Sequence, residues 1–170
     1  MLTAIRRHVE NEVPEAIQEL AGIYRSGGFG IAKNDKKAAK LHKRAAELGD
    51  VDAMNSLGLL LDAGRGVKLD KKKAMRWYRA AADRGHAMAQ FNLAVLLGDG
   101  GPETQQESVE YLTRAAQQGF TEAEYNLGLI YGKGEIMEPD VDEAKRWLRR
   151  AAAKGYELAI EILRQLESCT

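Results

Sequence analysis

The chain is poor in the residues that mark several common classes of protein. Its 170 residues include one cysteine, Cys169, so an internal disulfide is excluded and we expect a reducing compartment, the cytoplasm. The 25 basic residues equal the 25 acidic ones, which argues against a general nucleic-acid binder. No apolar run approaches the roughly 20 residues that a membrane-spanning helix needs. Residues 1–13 lack the apolar segment of a signal peptide. The sequence does not exclude a signal peptide that was cleaved off ahead of residue 1.

Residues typical of catalysis or metal binding are also sparse. The three histidines, His8, His42 and His86, do not have the spacing of metal ligands, so we expect them to pack or to face solvent. The glycine-rich segment 27–30 follows a helical pattern rather than a strand and lacks the Gly-Lys-Ser/Thr of a phosphate-binding loop. We therefore predict no catalytic residue, no metal and no cofactor, and expect the protein not to be an enzyme.

What the chain does have is one pattern that returns four times. In each copy an alanine precedes a Leu-Ala or Leu-Gly pair by four residues, and an Ala-Ala pair precedes a glycine further on. The closing glycines are spaced by 36, 34 and 36 residues: Gly49, Gly85, Gly119 and Gly155. A period in this range is typical of a solenoid, in which each unit buries its apolar face against its neighbours. Such proteins usually act through their surface, so the pattern favours binding over catalysis.

Each copy has the pattern of two helices joined by a turn. In residues 51–86, apolar residues at helical spacing predict a first and a second helix, with glycines between them and after them. The residues expected to start the second helices are all of good capping types: Asn34, Asp70, Thr104 and Asp140. Thr104 with Glu107, and Thr121 with Glu124, have the spacing of capping boxes.

We predict an all-α fold of about ten helices, a solenoid of helix-turn-helix repeats that forms a single repeat domain over residues 1–170. Four repeats lie between a half-unit and a terminal helix. The predicted boundaries are 1–13, 14–50, 51–86, 87–120, 121–156 and 157–170.

The second copy has the fullest set of repeated residues. They are Ala53, Leu57-Gly58, Gly64-Arg65-Gly66-Val67, Asp70, Lys73-Ala74, Trp77-Tyr78, Ala81-Ala82 and Gly85. These residues resemble the Sel-one-like repeat family, a branch of the tetratricopeptide-type α/α solenoids, and the resemblance extends over about residues 14–156. The departures are local, such as a turn in the third copy that is two residues shorter. The resemblance implies a right-handed superhelix whose first helices line a concave face, and an adaptor or scaffold role of the kind found in bacterial and other members.

Candidate binding positions flank the leucines that we expect in the core, Leu57, Leu93 and Leu127. Residues one or two before and two after each leucine turn toward the groove at helical spacing. The predicted partner-binding residues are Asn55, Leu59, Phe91, Asn92, Val95, Tyr125, Asn126 and Leu129. The asparagine amides can donate to and accept from a peptide backbone, or they can simply stabilise neighbouring helices. The aromatic residues would be anchors if exposed and core if buried.

Charge is unevenly distributed although its sum is zero. Residues 33–79 carry 13 basic and 6 acidic residues, whereas residues 100–145 carry 3 basic and 10 acidic ones. We predict a non-catalytic scaffold or adaptor that binds a protein or peptide in its concave groove, without nucleic acid or membrane insertion, as a monomer or weak homo-oligomer. The alternative is an oligomeric structural module that associates through its ends and its opposite charge poles.

The repeat pattern predicts the cost of removing a core leucine. Leu93→Ala should lower the free energy of unfolding by about 2–5 kcal/mol, because it leaves a cavity between packed helices. Urea denaturation followed by circular dichroism measures this loss. A change below about 0.5 kcal/mol, which is typical of a surface position, would contradict the repeat assignment.

Overall fold

The computed structural model describes residues 2–134 and 136–168, and in these residues it contains ten α-helices. They are α1 (Leu2–Glu10), α2 (Pro14–Ser26), α3 (Asp35–Glu47), α4 (Val51–Ala63), α5 (Lys71–Ala82), α6 (Ala87–Gly98), α7 (Pro102–Gln117), α8 (Thr121–Lys133), α9 (Val141–Ala153) and α10 (Glu157–Ser168). The described residues form no strand, and their β pairing is an isolated bridge between Gly28 and Ile31. The predicted all-α fold of ten helices is confirmed.

The helices fall into two compact units, Met1–Ala89 and Gln90–Thr170. In the first unit, α1 packs on α2, α2 on α3, α3 on α4 and α4 on α5. In the second unit, α7 packs on α8, α8 on α9 and α9 on α10. We call α2, α4, α6 and α8 the first helices, and α3, α5, α7 and α9 the second helices. Packing between neighbours in the chain is what stacked helix pairs require.

Leucines and alanines of the repeated pattern form the cores. Leu57, Leu93 and Leu127 are 3%, 0% and 0% exposed, as the sequence predicts. The terminal helices extend these cores. Ile5 of α1 clusters with apolar residues of α2, and Leu163 of α10 clusters with apolar residues of α9. Both half-units therefore bury their apolar faces against the neighbouring repeat.

The four second helices end in one recurring hydrogen-bond pattern. The N–H of each closing glycine donates to the second alanine of the Ala-Ala pair, and the N–H of the next residue donates to the first alanine. In α5, for example, Gly85 N bonds Ala82 O at 2.9 Å and His86 N bonds Ala81 O at 3.2 Å. This is a Schellman closure, which needs a left-handed residue. Gly85 has a φ of +89° and Gly119 has a φ of +85°, so the predicted backbone angles of these glycines are confirmed.

The starts of three second helices are also as predicted. The side chains of Asn34, Asp70 and Asp140 each accept a hydrogen bond from the backbone N–H three residues later, at 2.9 Å. Their own N–H groups donate to carbonyls on the preceding first helix, at 2.7–2.9 Å. The acceptors are Tyr24, Leu61 and Tyr131. One residue thus caps a second helix and ties it to the first.

Thr104 does not cap its helix, contrary to the sequence prediction. The shorter turn lets α7 begin at Pro102, with Gly101 before it. The Thr104 hydroxyl, already inside the helix, donates to the carbonyl of Leu97. Leu97 occupies the repeat position of Leu61, whose carbonyl accepts from the cap residue of its own repeat. In this repeat the Thr104 hydroxyl therefore makes the bond to the first helix that the backbone N–H of the cap residue makes in the other three repeats.

The second predicted capping box is wrong as well. Helix α8 begins at Thr121 itself, its N-cap residue is Phe120, and no side chain caps it. Glu124 is instead fully buried, where it accepts from Arg150 Nε at 3.0 Å and from Lys154 Nζ at 2.7 Å. Because Arg150 of α9 and Lys154 just after α9 both bind this carboxylate, Glu124 does not hydrogen-bond the backbone at the start of α8.

A small residue on each first helix lets the second helix come close. A Cβ atom placed on Gly58 would lie 2.5 Å from the ring of Tyr78, and one on Gly128 would lie 2.6 Å from Leu148 Cγ. The other repeats place alanine at these first-helix positions, and the paired residues by repeat position are Ala21 with His42 and Ala94 with Leu112. In the second repeat glycine is therefore needed because the opposing side chain is the buried Tyr78.

This contact predicts a compensated pair of substitutions. Gly58→Ala should destabilise the protein by about 1–3 kcal/mol, because the added methyl group overpacks against Tyr78. In a Tyr78→Leu background, which reproduces the Ala94 and Leu112 combination, the same change should cost less by at least about 1 kcal/mol. The four free energies of unfolding form a double-mutant cycle. Equal costs of Gly58→Ala in both backgrounds would show that Tyr78 does not set the limit.

Candidate pockets on the first helices

Of the two predicted binding residues in the first unit, Asn55 is buried and Leu59 is exposed. Asn55 is 5% exposed, and its Nδ2 lies 3.6 Å from Met88 Sδ. Its side chain is therefore largely covered within the first unit. Leu59, four residues later on α4, is exposed.

The predicted aromatic residues of the second unit are half-buried, and each packs at a tilt against another ring. Phe91 packs on Phe120 with ring centroids 5.0 Å apart, and Tyr125 packs on Tyr156 at the same distance. Both partners directly follow a closing glycine. The rings thus cover helix ends and retain part of their surface. Asn92 is also half-buried.

A cavity of about 320 Å³ lies between α6 and α8, with α7 below it. Three of the predicted residues line it together: Val95 from α6, and Asn126 and Leu129 from α8. Leu112 of α7 also lines it, and so does Ser108, whose hydroxyl is used within the unit through a 2.6 Å bond to Ala94 O. Asp99 and Lys133 add one charge of each sign. We call this cavity the α6–α8 pocket.

A smaller cavity of about 180 Å³ occupies the corresponding place in the first unit, between α2 and α4. Ser56 and Leu59 line it, and they have the repeat positions of Asn126 and Leu129. His42 of α3 lines it where Leu112 lines the other cavity. Arg25 and Arg65 complete its charged lining. We call this cavity the α2–α4 pocket.

The imidazole of His42 is buried without a hydrogen-bond partner. The residue is 2% exposed, and neither Nδ1 nor Nε2 finds a donor or acceptor among the described residues. Burial, helped by the positive charge of Arg25, lowers the pKa of His42 to about 4. The side chain is therefore neutral at pH 7. The prediction that the histidines pack or face solvent holds for this residue.

The second helices of the first unit carry two basic clefts. One, of about 580 Å³, is lined by Lys37, Lys40, Lys43 and Arg44 beside Leu20 and Tyr24. The other, of about 520 Å³, is lined by Lys36, Lys40, Lys43 and Lys73 beside Trp77. The uneven charge of the sequence predicted the basic residues, but the periodic pattern did not reveal the clefts.

The residues that the structure describes contain no group of three or more His, Cys, Asp or Glu side chains that could hold a metal ion. The buried carboxylate of Glu124 is fully paired, and Lys154 also bonds Gly119 O at 2.7 Å. Cys169 lies outside the described residues.

The repeated architecture agrees with the comparisons with known proteins. The sequence pattern of the Sel1 repeat matches residues 14–50, 51–86, 87–120 and 121–156. The chain therefore belongs to the Sel1 repeat family, whose members are generally protein-interaction scaffolds without catalytic activity. No protein of curated function matches the chain in sequence.

Solved bacterial structures have the same fold. A protective antigen of uropathogenic Escherichia coli strains, described as having an SLR fold, is 31% identical with a TM-score of 0.88, over 94% of this chain and 34% of its own. A Sel1 repeat protein from Oxalobacter formigenes is 28% identical with a TM-score of 0.85, over 95% and 67%. The chain thus spans about a third of the antigen. None of the described helices has both the length and the apolar character to cross a membrane.

The environment of His42 predicts a pH-dependent stability. Its pKa is about 4 in the folded protein and 6.5 when unperturbed, so between these values the unfolded chain binds a proton that the folded chain does not. The contribution of His42 is fully present above pH 6.5. It should be lost by up to about 1.4 kcal/mol per pH unit as the pH falls toward 4.

His42→Leu is the matched control, because leucine occupies this position in the third and fourth repeats. The variant should be at least as stable as the wild type at pH 7 and should show a shallower loss of stability between pH 6.5 and 4. Urea denaturation at several pH values measures both slopes. Parallel slopes would show that His42 is not buried in its neutral form.

Proposed function

We propose that the chain is a non-catalytic scaffold or adaptor that binds a protein or peptide along the face formed by its first helices, with the α6–α8 pocket as a main contact site. The observation that carries this proposal is the convergence of Val95, Asn126 and Leu129 on one cavity. Apolar walls with a few well-placed polar groups are the usual composition of a binding pocket.

The pocket has the chemistry to hold an extended segment of a partner. Val95 is 43% exposed, so binding would remove apolar surface from water. The amide of Asn126 can donate to a carbonyl and accept from an N–H of the same main chain. Asp99 and Lys133 would favour a partner with complementary charges beside its apolar residues.

The aromatic pairs have a supporting role in this proposal. Phe91 and Tyr125 each stack on a ring at a helix end, which fixes their orientation before a partner arrives. A preorganised side chain loses little conformational entropy on binding. Their remaining exposed edges would extend the contact beyond the pocket.

The oligomeric alternative is favoured by a different surface. The two basic clefts of the first unit combine lysines with apolar residues such as Trp77, which suits an acidic surface of another copy. Association through these clefts would weaken as salt rises, because exposed charges are screened. Light scattering at low and physiological salt separates this alternative from a monomeric scaffold.

Substitutions inside and outside the α6–α8 pocket test the main proposal. The double variant Val95→Ala, Asn126→Ala should fold normally and bind at least about 30-fold more weakly, which corresponds to roughly 2 kcal/mol. The assay is affinity capture from a bacterial lysate, followed by titration of the purified captured protein against each variant.

Lys72→Glu, in the first unit, is the control outside the pocket. Lys72 lies in the first turn of α5 and should affect salt dependence while leaving binding intact at physiological salt. Thermal unfolding checks that all variants remain folded. Normal binding by the pocket variant together with failure of Lys72→Glu would refute the pocket and favour the basic surface of α5.

A further inference from the structure

The α2–α4 pocket differs in charge from its counterpart in the second unit. Arg25 takes the repeat position of Gly98, and His42 takes that of Leu112. Arg65, from the turn after α4, adds a second guanidinium group. None of the described residues that line this pocket is acidic. The same place in the fold is therefore neutral overall in one unit and cationic in the other.

His42 gives independent evidence for an occupant. Both of its imidazole nitrogens are buried and unpartnered among the described residues, while its side chain lines the pocket. Buried polar groups in folded proteins nearly always have a partner, because leaving one without a partner is costly. Leucine fills this position in two other repeats without that cost. A hydrogen-bond acceptor in the cavity would supply the missing partner.

The surrounding charges indicate which acceptor fits. Arg65 has an acidic neighbour in Asp35, but their closest atoms are 3.8 Å apart and Asp35 also lies 3.9 Å from Lys33 Nζ. This weak pairing leaves Arg65 able to turn toward a ligand. Planar guanidinium groups match the geometry of a carboxylate, and the Ser56 hydroxyl can donate a further bond.

We propose that the α2–α4 pocket binds a carboxylate of the protein partner, with Arg25, Arg65 and Ser56 as donors around it and His42 as a donor at its floor. This inference rests on the proposed function, because Ser56 and Leu59 have the repeat positions of Asn126 and Leu129. A cavity of 180 Å³ has the volume of about six water molecules. It accommodates a carboxylate on a short aliphatic stem and is too small for a nucleotide.

Binding should be coupled to protonation of His42. A neutral imidazole has one N–H donor, and a nearby carboxylate stabilises the doubly protonated ring. The carboxylate should therefore bind more tightly at pH 5.5 than at pH 7.5. Arg25 of α2 and Arg65 of the turn after α4 are the charged groups that line the pocket with His42, and their positive charges oppose this proton. Asp35 at the start of α3 is the acidic neighbour of Arg65.

Small acetylated amino acids test the site without the partner. N-acetylglutamate α-amide presents a side-chain carboxylate, N-acetylalanine presents a C-terminal carboxylate, and N-acetylglutaminamide is the neutral control. Titration of the full chain at constant ionic strength, followed by the NMR signals of the His42 ring and the arginine side chains, gives each Kd. We expect saturable binding of at least one carboxylate, and its identity distinguishes a side chain from a C-terminus as the natural group.

The variants then assign the binding to this pocket. The double variant Arg25→Gln, Arg65→Gln and the single variant His42→Leu should each raise Kd at least tenfold, and His42→Leu should also lose the pH dependence. Arg76→Gln removes a positive charge of α5 that does not line the pocket, so it should change Kd by less than twofold. Thermal unfolding verifies that every variant is folded.

Three results would overturn the proposal: no saturable binding of either carboxylate, equal binding of the neutral amide, or unchanged binding by the folded pocket variants. These outcomes are separate from those that test the scaffold function, which depend on Val95 and Asn126 of the other unit and on a captured protein. A pocket that fails to bind carboxylates leaves the scaffold proposal standing. Conversely, a chain that captures no protein from the lysate can still bind the carboxylate probes, so the two failures are distinguishable.

Discussion

Close contact between a small residue of the first helix and one side chain of the second helix underlies each repeat. Gly58 against Tyr78 and Gly128 against Leu148 leave no room for a methyl group, and the other two repeats place alanine opposite His42 and Leu112. The same second-helix position supplies Leu112 and His42 to the two pockets. One structural position therefore controls both how near the helices lie and what chemistry is found beneath the first-helix face.

Most of the fold could be predicted because its determinants are local. The Ala-Ala and glycine spacing corresponds to a closure made within seven residues, and the caps at Asn34, Asp70 and Asp140 act within three. The predicted cap at Thr104 was wrong because the turn is two residues shorter and the helix begins before this residue. The predicted capping box of Thr121 and Glu124 was wrong because the Glu124 carboxylate pairs with Arg150 and Lys154, some 30 residues away. These ion pairs outweigh the weak local preference for a capping box.

The candidate pockets were only partly predictable, for a related reason. Helical spacing brought Val95, Asn126 and Leu129 to one cavity, since each lies at a fixed offset from a core leucine. The same rule included Asn55, which the neighbouring Met88 covers. Arg25, His42 and Arg65 come from three separate elements, and only the packing of α2, α3 and α4 brings them together. The one signal in the sequence was a histidine where other repeats have leucine or tyrosine.

The Schellman closures make the repeated frame of this chain independent of its surface side chains. They rely on backbone groups, alanines and a glycine, so they place no demand on the outward side chains of the helices they end. Surface residues can therefore diverge from one repeat to the next while the frame is retained, as the neutral and cationic pockets illustrate. A protein engineer could treat the first-helix surfaces as interchangeable inserts, exchanging recognition chemistry between repeats without redesigning the joints.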